Sequence, residues 1–405
     1  MHDVFVGRQP IYTRQLDVFA YELLFRSGEV QQASFVDGTR ATATVLVNAF
    51  VEIGLDTIVG AHTPALVNFT RDFLLQDYAA IFPPDRVVLE ILENVTVDDD
   101  LIAAMRRLSA QGYRFALDDF IYHDHLQPLV ELADLVKLDV HALDRTSLEA
   151  HVARLRPYAV KLVAEKVETQ EVFRYCYDLG FEYFQGYFLC QPDVVKGQRR
   201  SAQHVATLSL LAKLQDPEID IRELENLISP DASLSYNLLR VANAAFYRRR
   251  FAVESIQQAI LRLGLRFIAN MVSLFCLANV DDKPHELLVT AMIRAKMCEQ
   301  LAHAMEPKRG NTFFTVGLLS VLDVLLDQPM DEILNALPLT EDIARALLGY
   351  EGTLGAALRC VMAYERGYWH EVTAIGLESE IIVKAYLDAL AWAIETSGLL
   401  KETGP

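Results

Sequence analysis

Several polar side chains in the first half of this sequence each follow a short apolar run. Glu90, for example, follows Val87-Val88-Leu89, a run typical of a buried strand. A carboxylate in such a place is costly to bury unless a charge pairs with it, so these strand ends are expected to converge. Their oxygens suit Mg²⁺ or Mn²⁺, and two such ions can activate water for phosphodiester hydrolysis. The other members of the set are Glu22, Asn68, Asp118, Asp119, Lys137, Glu165 and Gln185.

Each of these residues also has a simpler explanation. A single acid at the end of a strand can cap the next helix or pair with an arginine, and Glu93 and Asp139 in particular could be helix-capping or loop-pinning residues. For the whole set at successive strand ends, a shared site is the better explanation. A lysine within that site would hold the water and offset developing negative charge.

The elements that must bring these side chains together are strands separated by helices. Apolar stretches at 4–7 and 18–25 predict a hairpin-like start, and a helical pattern follows at 41–47. Further strands alternate with helices, such as the one through Leu101 that Gly112 ends. Six or more short strands joined by helices predict a closed (β/α) barrel. On that fold, functional residues lie at the C-terminal ends of the strands.

The second half of the chain has a different pattern. After a polar, basic stretch at 195–201 the periodicity is helical, so we predict an all-α domain, with domains at 1–197 and 198–405. Ser229 with Pro230 predicts one helix start, and Ser255 predicts another, whose helix Gly264 ends. The basic cluster 248–250 is better explained as a solvated loop than as a contact with an anionic partner.

Composition narrows the class of protein. The 405 residues are 52% hydrophobic and 23% charged, as in ordinary cytosolic proteins, and the net charge of -18 argues against nonspecific binding of nucleic acid or anionic lipid. We expect no signal peptide and no membrane span. Five widely spaced cysteines without zinc-type spacing predict buried, reduced thiols. These features predict a cytoplasmic protein with no membrane partner.

Seven short motifs follow one another through the first half. They read ELLFR at 22–26, VNFT at 67–70, EILE at 90–93, LDDF at 117–120, KLD at 137–139, AEKVET at 164–169 and QGY at 185–187. One such motif is weak evidence, but seven in this order resemble the EAL domain, a cyclic-di-GMP (c-di-GMP) phosphodiesterase module. Three positions depart from the family pattern: Leu23 replaces alanine, Leu92 replaces threonine and Lys166 replaces glycine.

The resemblance implies roles for individual residues. Glu22, Asn68, Glu90, Asp118 and Asp119 would coordinate metal, which makes Mg²⁺ or Mn²⁺ the expected cofactor if the site is functional. Lys137 and Glu165 would position or activate the water. Arg26 would contact a phosphate of the dinucleotide, Gln185 would line the ligand site, and Glu93 and Glu168 would support this arrangement.

One loop departs from the family more strongly. After Phe120 the active family continues with a glycine-rich G-T-G-Y-S-S segment, whereas this chain has Ile121-Tyr122-His123-Asp124-His125-Leu126. Glycine adopts backbone conformations that these residues do not easily adopt, so the path of the loop must differ. Small misplacements of a catalytic group can cost orders of magnitude in rate. The loop also weakens the expectation of the family's usual homodimer. Its two histidines suit a solvated loop better than a metal site.

The second half resembles the HDOD domain, a helical relative of the HD phosphohydrolases. The resemblance rests on 229–234, 239–245, 255–264 and 317–323. Ser320 and Val321 stand where the catalytic relatives carry their metal-binding His-Asp pair. The resemblance therefore implies an interaction domain that binds a protein partner, and not a second enzyme.

Two hypotheses follow for the whole chain. The favoured one is a c-di-GMP-linked signalling regulator whose divergent EAL barrel hydrolyses weakly or not at all and whose HDOD domain docks a partner. The alternative is an active metal-dependent phosphodiesterase that opens c-di-GMP to linear pGpG. The retained ligand set favours turnover, and the altered loop disfavours it.

Overall fold

The structure is a computed structural model, and it describes residues 4–27, 54–76, 78–190, 202–216, 218–245, 253, 255–278 and 283–401. The chain divides into two compact units, Met1–Gln191 and Pro192–Pro405. Three features discussed above lie outside the described residues, namely the helical pattern at 41–47, the polar stretch at 195–201 and the basic cluster at 248–250.

The first unit contains a closed barrel of eight strands arranged in chain order. Strand β1 runs antiparallel to both of its neighbours, β2 and β8, and every other pair is parallel. The predictions of a hairpin start and a closed barrel are confirmed. The strands are β1 (Val4–Thr13), β2 (Val18–Ser27), β3 (Ala65–Phe69), β4 (Val87–Ile91), β5 (Arg114–Leu117), β6 (Leu135–Asp139), β7 (Lys161–Glu165) and β8 (Tyr183–Gln185).

Helices connect the parallel strands, and polar side chains mark where several of them begin. The Asp98 carboxylate accepts a hydrogen bond from the Leu101 backbone N–H at 2.9 Å, and Asp144 caps the next long helix in the same way. Among the described residues of this unit, the α-helices are Leu55–Val59, Arg71–Leu75, Asp99–Ala110, Gln127–Val130, Arg145–Leu155 and Gln170–Leu179. Short 3₁₀ turns lie at Tyr78–Ile81, Asp124–Leu126 and Tyr187–Cys190.

The interior of the barrel holds a layer to which every strand contributes one buried side chain. The aromatic ring of Phe19 stacks on that of Tyr183 at 4.0 Å between centroids and packs against this layer. We call it the apolar layer; the inward-facing side chains nearer the C-terminal ends of β2 to β8 pack on top of it. Its members are Ile11, Ala20, Leu66, Val88, Ala116, Leu135, Val163 and Tyr183.

The second unit is helical, and the part of it that the structure describes contains no strand. The all-α prediction is confirmed. Its α-helices are Ala202–Gln215, Ile221–Ile228, Ala232–Ala245, Ile256–Leu263, Leu265–Ala278, His285–Met305, Gly310–Leu319, Leu322–Leu326, Met330–Leu334, Glu341–Gly349, Gly352–Glu365, Trp369–Thr373 and Ser379–Lys401. None of the described helices has both the length and the apolar character that a membrane crossing requires.

One of the two predicted helix starts in this unit is correct. The Ser255 hydroxyl accepts from the Gln258 backbone N–H at 3.2 Å, and Gly264 follows the end of that helix as predicted. The prediction for Ser229 was wrong, because Ser229 ends the preceding helix. The next helix starts at Ala232, where the Asp231 carboxylate accepts from the backbone N–H of Leu234 at 3.0 Å. Asp231 is the better cap because its side chain reaches that N–H.

Candidate functional site

A ring of polar side chains lies directly above the apolar layer. Side chains two residues apart on a strand face the same side, so the next inward position on β2 to β8 is two residues further along. Strand β1 runs in the opposite direction, and its contribution lies two residues before Ile11. We call this ring the polar layer; its members are Gln9, Glu22, Asn68, Glu90, Asp118, Lys137, Glu165 and Gln185.

Lys137 lies at the centre of the polar layer and is completely buried. Its Nζ lies 3.1 Å from Glu22 Oε2, 2.8 Å from Asp118 Oδ1 and 2.8 Å from Glu165 Oε1. The same ammonium contacts the buried Glu90 carboxylate. One lysine therefore bridges acids from strands β2, β4 and β7 and from the end of β5, and the convergence predicted from the sequence is present.

The polar layer carries an unbalanced charge. Four carboxylates and one ammonium give a formal charge of minus three in a site where the acids are at most 16% exposed. Burial raises the pKa of Glu165 to about 7 and that of Glu90 well above its ordinary value. Burial would lower the pKa of Lys137, but the surrounding carboxylates, Glu165 first, hold it well above the usual range. The site therefore favours additional positive charge, either as protons or as a cation.

Oxygen atoms without hydrogen bonds identify where a cation would be held. Asn68 Oδ1, Glu90 Oε2, Asp119 Oδ1 and Glu165 Oε2 are buried and accept no hydrogen bond. Such orphaned acceptors are hard ligands of the kind that Mg²⁺ and Mn²⁺ take. In the described residues no three acidic, histidine or cysteine side chains are already arranged to hold one ion, and the Lys137 ammonium lies between the carboxylates instead. The residue types fit a divalent ion, and its binding would require small shifts of these side chains.

Gln9 is a member of the polar layer that sequence reasoning missed. Gln185 donates from Nε2 to Glu22 Oε2 at 2.6 Å and to Gln9 Oε1 at 3.1 Å. Gln9 in turn donates to the Tyr187 hydroxyl at 3.2 Å. Because β1 runs antiparallel to its neighbours, Gln9 precedes Ile11, the β1 member of the apolar layer, and a search for polar residues that end a strand passes over it. Reversing the search on an antiparallel strand would have found it.

A second, smaller cluster lies beside the polar layer. The Lys166 ammonium contacts the Asp139 carboxylate and lies 3.5 Å from Asp119 Oδ1. Asp139 also accepts hydrogen bonds from the backbone N–H groups of His141 and Ala142 at 2.7 and 3.0 Å. Burial alone would raise the pKa of Asp139, but these donors outweigh it and hold the pKa below its ordinary value. Asp139 is thus both a loop-pinning residue, as the simpler explanation had it, and the anchor of Lys166.

The loop after Asp119 takes its path without glycine. Asp119 itself has a φ of +41°, and the Phe120 backbone N–H donates to the Lys137 carbonyl oxygen at 3.0 Å. Ile121 is 52% exposed, while the hydroxyl groups of Tyr122 and Tyr158 lie 3.1 Å apart. Phe120, which leads into the loop, is therefore placed by β6, and the hydrogen bond between the hydroxyl groups of Tyr122 and Tyr158 holds the part that follows.

Four of the sequence-predicted residues are not part of the polar layer: Asp119, which lies in the smaller cluster, and three others. Glu93 is exposed, and Glu168 is 55% exposed with its Oε2 3.4 Å from His141 Nε2. Arg26 belongs to β2 and pairs with Phe5, but its side chain lies outside the described part of the structure. The supporting and phosphate-binding roles assigned to these residues stay predictions.

The second unit places a buried ion pair beside Ser320. Arg294 donates from Nε to Glu365 Oε1 at 2.9 Å and from Nη2 to Oε2 at 2.8 Å, and its side chain is 4% exposed. Its Nη1 lies 3.3 Å from Ser320 Oγ. Ser320 stands at one of the two positions where the catalytic relatives of the HDOD domain have their metal-binding pair. The positive charge beside Ser320 is the guanidinium of Arg294, which is already paired with the Glu365 carboxylate.

Comparison with known proteins covers both units. The EAL domain family matches residues 60–192, and the HDOD domain family matches residues 202–337. An uncharacterized protein of Bacillus subtilis, YuxH, is 33% identical over 403 residues, which is 96% of this chain and 98% of YuxH. The Vibrio cholerae protein named cyclic di-GMP phosphodiesterase CdgJ is 32% identical over 409 residues, 99% of this chain and 94% of CdgJ. Among solved structures, the PaMucR phosphodiesterase in complex with c-di-GMP is 22% identical, with a TM-score of 0.39 over 46% of this chain and 95% of that one.

Proposed function

This chain belongs to the family of two-domain proteins in which an EAL domain precedes an HDOD domain, and on that basis we propose that its barrel hydrolyses c-di-GMP to linear pGpG. The observation that carries the proposal is the polar layer, in which buried oxygens without hydrogen bonds surround one lysine. The name of the V. cholerae relative, which this chain matches over nearly its whole length, supports the same substrate.

The metal would be held by oxygens of Glu22, Asn68, Glu90, Asp118 and Asp119. When bound, a divalent ion lowers the pKa of a water and offsets charge on the phosphate oxygens. Mg²⁺ and Mn²⁺ both suit an all-oxygen ligand set.

The chain's own residues supply proton transfer and positioning. Glu165 would take the proton of the attacking water at Oε2, which accepts no other hydrogen bond. Lys137 would keep Glu165 and Asp118 in place and stabilise charge that develops nearby. Gln185 would orient Glu22 by its hydrogen bond of 2.6 Å and would in turn be held by Gln9.

A regulator that binds c-di-GMP with little or no turnover is the second candidate. Two observations favour it: the glycine-free loop after Asp119, and Lys166, whose ammonium lies beside Asp119. Either feature would reduce hydrolysis of c-di-GMP while leaving the buried part of the polar layer able to take part in binding it.

The HDOD domain is proposed to dock a protein partner and to have no catalysis of its own. The support is that Ser320 and Val321 are poor metal ligands and that Arg294 with Glu365 fills the space beside Ser320. A protein partner of the HDOD domain and a homodimer stay predictions of the family resemblance. A cytoplasmic location stays the prediction from composition.

A direct assay separates the two candidates. The purified chain is incubated with c-di-GMP and Mg²⁺ or Mn²⁺, and the products are resolved by chromatography. Glu22→Gln removes one carboxylate of the polar layer at constant size, and Glu149→Gln removes an exposed carboxylate on the outer helix Arg145–Leu155 as the matched control. Metal-dependent pGpG formation that only Glu22→Gln abolishes supports hydrolysis. Binding of c-di-GMP without product supports the regulator, and the absence of both binding and product overturns both.

A further inference from the structure

Lys166 has an unusual backbone for its residue type. Its φ is +56°, in the left-handed region, and it directly follows the buried Glu165 at the end of β7. A side chain with a Cβ is strained there, whereas glycine is not. The backbone has thus kept the conformation that suits the glycine of the EAL pattern, while the side chain adds a cation that glycine lacks.

The added cation is directed at the acids of the smaller cluster. Its ammonium contacts Asp139 and lies 3.5 Å from Asp119 Oδ1, a buried oxygen that accepts no hydrogen bond. The side chain is only half-exposed, and Asp139 is itself fixed by two backbone N–H groups. Lys166 is therefore held in position and is not a freely moving surface lysine.

We propose that the Lys166 ammonium takes the place of a second divalent ion, so that this barrel binds one divalent ion per chain. The inference rests on the proposed function and narrows it, because it keeps the metal ligands named there except Asp119. The remaining ion would be bound at the buried oxygens of Glu90 and Asn68, and Asp119 would pair with Lys166.

Charge and distance together support this assignment. Mg²⁺ binds oxygen ligands at about 2.0–2.1 Å, so an ion of this kind on Asp119 Oδ1 would come close to an ammonium that is 3.5 Å from the same oxygen. Two cations at such a separation repel each other strongly where water is partly excluded. Lys166 offsets one of the two negative charges of Asp119 and Asp139, whereas the polar layer keeps a formal charge of minus three. The larger excess of negative charge is therefore located in the polar layer, around Glu90.

The test counts manganese ions on the full-length protein. Mn²⁺ alone is titrated, its stoichiometry is measured by calorimetry and by elemental analysis after gel filtration, and electron paramagnetic resonance distinguishes an isolated ion from a coupled pair. Lys166→Gly is expected to fold well because φ +56° is unstrained for glycine, and Lys166→Met removes the charge at similar length. Lys161→Met changes an exposed lysine on the same strand and is the matched control.

The expected result is one ion with an uncoupled spectrum for the natural chain and for Lys161→Met, and two coupled ions for both Lys166 variants. Two ions on the natural chain would overturn the inference and leave the proposed function standing. One ion on both Lys166 variants would overturn it as well. Two ions on Lys166→Gly alone would assign the effect to side-chain bulk and overturn the role of the charge. A natural chain that binds no ion would overturn the proposed function together with the inference.

Discussion

Replacing Lys137 with methionine should destabilise the metal-free barrel strongly. Lys137 is completely buried and its ammonium is shared by carboxylates that are themselves at most 16% exposed. Methionine fills most of the same volume, so the loss is mainly electrostatic. Removing one partner of a buried ion pair typically costs about 3–5 kcal/mol, because the other charge is left uncompensated. The four partners do not each add this amount, since burial already disfavours full ionisation of Glu90 and Glu165.

The stability lost in Lys137→Met should depend on pH in a defined direction. Burial raises the pKa of Glu165 to about 7 in the folded protein, whereas an unfolded glutamate titrates at about 4.3. A group with a raised folded pKa contributes stability below its unfolded pKa, and that contribution is lost as the pH rises through about 7. Without the Lys137 ammonium the pKa of Glu165 rises further, so Lys137→Met should cost less at pH 5 than at pH 8.

The assay is calorimetric unfolding in EDTA at both pH values and again with excess Mn²⁺. For a unit of this size, about 3–5 kcal/mol corresponds to a melting temperature lowered by about 6–20 °C. Mn²⁺ at a hundred times its dissociation constant adds about 2.7 kcal/mol, so part of the loss should be recovered. Lys161→Met, which removes an exposed lysine, should change the melting temperature by no more than a degree or two. A drop that is equal at pH 5 and pH 8, or one no larger than that of the control, would refute the reasoning.

Other substitutions test the packing. Arg294→Met should lower the stability of the second unit by about 3–5 kcal/mol, and adding Glu365→Leu should restore most of the loss, as a calorimetric double-mutant cycle can measure. Gly317→Ala should cost about 1–3 kcal/mol, because the new Cβ would overlap the Arg294 carbonyl oxygen, and hydrogen exchange in helix Gly310–Leu319 would report it. Gly186→Ala places a Cβ against the Val167 backbone at a φ of +147°, so it should weaken both barrel stability and Mn²⁺ binding in titration calorimetry; an unchanged affinity would contradict this.

Much of the barrel could be read from local pattern. An apolar run that ends in a polar residue identified the parallel strands, because a buried strand exposes functional side chains only at its C-terminal end. Counting two residues on from Leu66, Val88 or Val163 leads to Asn68, Glu90 or Glu165, and this spacing is a property of the strand itself. The helix start at Ser255 could also be predicted from local sequence, because a capping side chain needs only a backbone N–H three residues away.

Contacts between distant segments could not be read in this way. Gln9 joins the polar layer only because β1 pairs antiparallel with both β2 and β8. The helix start that was misplaced, Ser229 instead of Asp231, depended on which of two nearby caps the preceding helix left available. Arg294 and Glu365 are 71 residues apart in the sequence and lie on different helices, and the periodicity of neither helix predicts that they pair.

The sequence by itself determined the types of residue at the strand ends and their order along the chain, and with them the two families. The tertiary structure decided which of these residues form ion pairs with one another. Lys137 could have paired with any one acid, and only closure of the barrel brings its Nζ to the carboxylates of Glu22, Glu90, Asp118 and Glu165 together. Likewise the substitution at Lys166 is visible in the sequence, but its contact with Asp139 and Asp119 follows from the backbone conformation at the end of β7. Electrostatic energy depends on distance and burial, and both are properties of the folded chain.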